Sequence, residues 1–212
     1  MAIRTMPRHS IIKPRFELQR VDAMSPENGG RIGGVQVGDP RWTLTFDLTA
    51  MRDDRSEEWR AFITRHLVPG RRFYAFDPAW RGPRSGISAS GIADWSFDLV
   101  EDDGDLIPTL ELATGQPGYY AKTGDYIGFR WETEGQPRRF VVRVQAPALA
   151  DGSGSLITEV EPALPTWIPE DATVVLRDAD CIMALTNETR IGEMSLIRHI
   201  SASIVAVQEM LP

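Results

Sequence analysis

The sequence predicts a mainly β protein: a split β-barrel or sandwich with a single flanking α-helix, plus an inserted or adjacent small β region. Three observations carry that reading. Residues 41–48 alternate strictly, only one segment of the 212-residue chain has strong helical periodicity, and short apolar runs bounded by turn residues fill the rest.

In chain order, residues 12–24 hold Phe16, Leu18 and Val21 among polar residues, a first strand, and Ser25 to Gly34 reads as a loop. Gly29-Gly30 and Gly33-Gly34 bracket Arg31 and Ile32, but a strand follows where a phosphate loop needs a helix N-terminus. In that strand Trp42, Leu44, Phe46 and Leu48 point one way and Arg41, Thr43, Thr45 and Asp47 the other. A helix near 54–68 follows. Asp54 is placed as its N-cap with Glu57 three residues on, Trp59, Phe62, Ile63 and Leu67 form its apolar stripe, and Pro69-Gly70 ends it.

Arg71 to Asp77 is the next predicted strand. Phe73 and Ala75 lie on one face and Tyr74 and Phe76 on the other, as in a central strand or one meeting another subunit. Residues 79–93 form a loop too long for a tight turn. Trp95, Phe97 and Leu99 alternate, and Glu101 to Asp105 reads as a solvated hairpin turn before Leu106 to Leu112; calcium binding needs more ligands at wider spacing. Short strands follow at 126–131, 140–144, 156–160, 173–176, 182–185 and 199–207, the spacing of an antiparallel barrel or sandwich. The best punctuation, loops 79–93 and 163–171, predicts a core of residues 1–78 and about 171–212, with about 79–170 inserted or adjacent.

Composition narrows the function classes. A net charge of -7 disfavours a surface that holds nucleic acid by neutralising phosphates, yet suits a wall that DNA slides past. Cys181 is the only cysteine, so no intrachain disulfide forms, and the three histidines lack neighbours at metal-ligand spacing. His66 and His199 read as surface or packing residues. Residues 1–13 contain no uninterrupted apolar run, which fits neither a signal peptide nor a membrane span and predicts folding in a cytoplasm.

Catalytic constellations are weak. Ser195, His199 and an aspartate make a triad only on paper, with no G-x-S-x-G elbow. Glu159 and Glu161 share a strand face and are the nearest candidate acid–base pair, against the plainer reading of one polar strand face. Trp42, Trp59, Trp95 and Trp131 are in phase with apolar elements and read as core. Trp80 and Trp167, in loops near prolines, are the candidates for sugar or subunit contact.

Two sets of segments carry a family resemblance. One is Gly33-Gly34-Val35-Gln36, Pro40-Arg41-Trp42, Trp59-Arg60-Ala61-Phe62 and Phe73-Tyr74-Ala75-Phe76-Asp77-Pro78. The other is Ala121-Lys122-Thr123-Gly124-Asp125-Tyr126-Ile127, Arg143-Val144, Asp151-Gly152-Ser153-Gly154, Val160-Glu161-Pro162-Ala163-Leu164-Pro165 and Cys181-Ile182-Met183-Ala184-Leu185, before a terminal strand ending Val207-Gln208-Glu209. Their order over residues 31–211 resembles distal tail or tail hub proteins of long-tailed bacteriophages. The resemblance implies a split barrel with one helix, a sixfold ring at the distal end of the virion tail, and no catalytic, cofactor or metal residues. It further implies that the chain contacts itself, the tail tube protein, and tip, baseplate or fibre proteins, with DNA passing through without specific binding and no membrane insertion. A ring subunit needs strands that pair across subunits, and Phe73 to Phe76 and the last strand are the expected ones. The readings from other classes are a carbohydrate-binding β-sandwich and a cell-wall hydrolase.

Overall fold

The computed structural model describes residues 3–26, 32–49, 54–68, 70–85, 96–100, 108–114, 116–191 and 202–210. Among the described residues the chain is mainly β, with one helix and several antiparallel sheets, and no sheet closes into a barrel. The elements are β1 (Ile11–Pro26), β2 (Ile32–Leu48), α1 (Asp54–His66), β3 (Arg72–Ala75), β4 (Ser96–Val100), β5 (Thr109–Ala113), β6 (Tyr120–Ala121) and β7 (Tyr126–Thr133). They continue with β8 (Gln136–Val144), β9 (Ala148–Leu149), β10 (Ser155–Glu161), β11 (Thr173–Val175), β12 (Cys181–Leu185), β13 (Arg190–Ile191) and β14 (Ala202–Gln208). Two units result: Met1–Phe73 with Met183–Met210, and Tyr74–Ile182. The sequence predicts joints at 78 and about 171; in the structure the chain passes from one unit to the other within β3 and β12.

The first unit is built on a sheet of order β1-β2-β14-β12-β3, with β13 also pairing β14. The alternation of 41–48 is realised in full: Trp42, Leu44, Phe46 and Leu48 are buried, and Thr43, Thr45 and Asp47 are not. On β14, Ala202, Ile204, Ala206 and Gln208 are buried on the same period. Helix α1 covers this sheet with Trp59, whose ring lies 5.7 Å from Phe46 and whose indole N–H donates to the His9 carbonyl at 2.9 Å. Phe62 continues the contact edge-on to Phe73 at 5.7 Å. The helix ends as its sequence dictates: Arg71 N–H donates to the Val68 carbonyl across Gly70, at φ 78°, a left-handed conformation that a side chain would strain.

Three expectations are corrected in this unit. The predicted loop Ser25 to Gly34 is partly strand, because β1 and β2 form one long hairpin whose ladder reaches Pro26 opposite Ile32. Cross-strand hydrogen bonding overrides the poor strand propensity of Gly33 and Gly34. The last strand, expected to pair with a neighbour, lies between β2 and β12 inside the sheet. Its buried residues alternate with half-buried ones, and among the described residues β1, not β14, is the long edge strand. The predicted strand 71–77 shortens to four residues of β3, which ends the sheet, with Phe73 through Phe76 all buried.

The second unit holds a sheet of order β11-β7-β8-β10-β5-β4. Strand β10 makes the corner: Ser155–Glu159 pair with β5, whereas Val160 and Glu161 pair with β8. The sheet therefore curls, and Phe97 of β4 meets Phe129 of β7 at 4.8 Å. Leu110, Leu112, Phe140, Val142 and Leu156 fill the fold. Gly128, in mid-strand on β7, lets the segment before β12 lie flat on the sheet, since a Cβ there would stand 3.1 Å from the Ala179 Cα. A two-stranded ribbon, β6 with β9, completes the unit. The short strands β6, β9 and β13 were not predicted; two residues carry no readable period.

Candidate functional site

Two turns with glycine in the left-handed region flank β6 and shape a polar cleft. In the first, Pro117 and Gly118 are the central residues, Gly118 has φ 79°, and Tyr119 N–H donates to the Gln116 carbonyl at 3.2 Å. A Pro-Gly pair in these positions is what a type II turn requires. In the second, Asp125 N–H donates to the Lys122 carbonyl at 2.9 Å, Gly124 has φ 85°, and the Asp125 carboxylate accepts from Lys122 N–H at 3.1 Å. The Lys122-Thr123-Gly124-Asp125 motif is thus a self-bonded turn.

Asp125 is nearly fully buried, and its other oxygen accepts from Arg84 Nε at 3.0 Å; Arg84 also donates to the Thr123 carbonyl. The Lys122 ammonium donates to the Arg84 carbonyl at 3.3 Å. Between these groups lies a cleft of about 470 Å³ lined by Arg84, Ser85, Gln116, Tyr119, Tyr120 and Lys122, with Pro117 and Gly118 at its turn. Burial pushes the Tyr119 hydroxyl up to about 12. Tyr120 is 41% exposed and pairs across the ribbon with Leu149, 65% exposed. The Lys122 turn lies within the segment Ala121–Ile127 that carries the resemblance, but Arg84 lies in the loop 79–93, whose role the sequence leaves unread. Only the paired glycine turns could have pointed here.

The sequence-predicted residues fall elsewhere. Trp80 packs edge-on to Tyr126 at 5.3 Å, in a turn held by Asp77, which accepts from Ala79 N–H and from the Tyr126 hydroxyl. Trp167 lies 5.7 Å from Trp131 and 6.0 Å from Phe140. Both are half-buried packing residues, not free platforms, and Trp131, expected in the core, is half-buried with its partner Trp167. Trp42 and Trp59 are fully buried. Glu159 and Glu161 lie on the outer face of β10 with the exposed Ile157. His9 bonds Glu58 at 2.7 Å, and His66 is buried beside Phe62. Trp95, the acidic run 101–105, Ser195 and His199 lie outside the described residues.

Among the described residues no cluster of three or more His, Cys, Asp or Glu is placed to hold a metal ion. No described helix is long and apolar enough to cross a membrane. Cys181 is fully buried, which pushes its thiol well above the ordinary range.

A second feature is the margin of the first sheet. Among the described residues strand β1 is its edge, with Arg15, Glu17, Gln19 and Arg20 exposed and Phe16 turned inward to stack on Trp42 at 4.8 Å. At its start Lys13, with φ 50°, and Pro14 sit in a register shift between Ile12 and Arg15. Such irregularities, with Lys and Pro, blunt an edge against unwanted pairing. The stretch Arg15–Gln19 beyond them runs in regular register with β2.

No protein-family model matches the chain, and no curated protein matches it in sequence.

Proposed function

We propose that this chain is a structural, non-enzymatic subunit that assembles with copies of itself into a ring at the distal end of a bacteriophage tail, joining the tail tube to tip, baseplate or fibre proteins. The observation that carries the self-assembly is the sheet margin. A 16-residue edge strand, blunted at one end and regular over Arg15–Gln19, is suited to accept main-chain hydrogen bonds from another chain. The opposite margin is β3, so the two ends of the sheet differ, as head-to-tail ring closure requires of its two surfaces. The tail assignment rests on the order of segments that resembles distal tail proteins. The mainly β fold with one helix is compatible with it.

Electron images of the purified protein with light scattering on the same sample test the reading. A closed annulus with a central hole supports it, and a strict monomer at high concentration favours the carbohydrate-binding sandwich. Against the hydrolase reading, the proposal expects no cell-wall clearing by the purified chain; any clearing that Glu159→Gln and Glu161→Gln leave unchanged would also count against that pair.

A further inference from the structure

We propose that the cleft beside β6 binds an acidic saccharide, with one carboxylate-bearing sugar seated between the Tyr120 ring and the Lys122 ammonium. This does not depend on the ring reading; it applies to a monomer and to an assembly alike.

Charge is the first reason. The Arg84 guanidinium is answered by the buried Asp125 carboxylate, whereas among the described residues no carboxylate lies within ion-pair range of the Lys122 ammonium. One positive charge therefore remains at the cleft, with protons left to donate after its single bond to the Arg84 carbonyl. The second reason is the character of the wall. Arg84 and Lys122 are donor-only cations, and Ser85, Gln116 and the Tyr119 hydroxyl both donate and accept, arranged around a space of about 470 Å³. That is roughly the size class of small-molecule sites, but it lacks the apolar lining of a lipid or drug pocket. A polar wall carrying the Lys122 ammonium suits a ligand rich in hydroxyls and carboxylate oxygens.

The third reason is Tyr120. Its exposed ring offers an apolar face to the C–H side of a sugar, and Leu149 directly opposite widens that face. Preorganisation adds to all three: both glycine turns are closed by hydrogen bonds, and Arg84 is clamped at two points, so little freedom is lost on binding.

The test is isothermal titration of the full chain with trigalacturonic acid and, as its neutral counterpart, maltotriose, in low salt. Trigalacturonic acid is expected to bind with a Kd on the order of 0.1 mM and maltotriose at least about tenfold more weakly, the difference one charge-assisted hydrogen bond makes. Lys122→Gln should remove that preference, and Tyr120→Ala should weaken both ligands; circular dichroism melting shows whether each variant is folded, and Tyr120→Leu replaces it if the alanine is not. Equal affinity for the two sugars overturns the proposal, as does no binding of trigalacturonic acid at millimolar concentration. So does binding that survives both substitutions. Loss of self-association in Tyr120→Ala and Leu149→Ser, without sugar binding, would assign the patch to protein contact and equally overturn it.

Discussion

Arg130 and Arg139 stand directly opposite each other on β7 and β8, two like charges in cross-strand register. The buried Asp180 makes this tolerable: Arg130 Nη2 donates to one carboxylate oxygen at 2.9 Å and Arg139 to the other, while the Arg139 guanidinium lies 3.4 Å over the Tyr74 ring. Removing the carboxylate leaves two half-buried cations facing each other. Asp180→Asn should therefore destabilise the chain by about 3–5 kcal/mol, as for a buried ion pair stripped of one partner. Urea denaturation checks this, and a loss under about 1 kcal/mol would show the cluster to be solvated.

His66 gives the fold a pH dependence. Its ring is buried against Phe62 with Nε2 lacking a hydrogen-bond partner, and burial, then the nearby Arg65, Arg4 and Arg71, hold it below the ordinary histidine range. The unfolded chain thus takes up this proton more readily than the folded one, so this group's contribution is constant above pH ~6.5 and stability is lost as pH drops below it. Thermal melts of wild type and His66→Leu between neutral and mildly acid pH should diverge, with the variant missing this part of the acid loss.

Gly124 couples a turn to the cleft. At φ 85° an alanine is strained, and its Cβ would stand 3.0 Å from Arg84 Nη2. Gly124→Ala should cost about 1–2 kcal/mol and loosen the Arg84–Asp125 pair. A melt gives the cost, and the chemical shift of the Arg84 side-chain Nε–H reports the pair.

Much of the first unit was legible because its signals are periodic. The alternation of 41–48 and the stripe Trp59, Phe62, Ile63 name the buried faces correctly, and a lone helix among strands fixes the class. Edge or interior position was not legible: β14 and β1 both read as half-buried strands, and only pairing shows that β14 is flanked on both sides. Nor did the aromatic signal locate a site. Trp80 and Trp167 look free in sequence, yet each packs on another ring, whereas the exposed Tyr120 sits in a two-residue strand with no pattern around it. Arg84 is 41 residues from its partner Asp125, a distance no local pattern spans.

Arg72 and Glu209 join β3 to the segment after β14 through two parallel bonds of 2.6 and 2.7 Å. The geometry is bidentate but half-exposed, so a double-mutant cycle with Arg72→Ala and Glu209→Ala should give a coupling of about 1 kcal/mol, shrinking in high salt. Arg72→Lys should lose most of it, since an ammonium cannot match the fork.

Self-assembly through the β1 margin is the central claim, and hydrogen exchange across a concentration series, read alongside electron images of the same samples, tests it most directly. The account predicts that amides of Arg15–Gln19 gain protection as annular particles appear, while those of the interior strand β14 stay as they were. Annuli that form with β1 exchange unchanged, or a chain that remains single at every concentration, would contradict it.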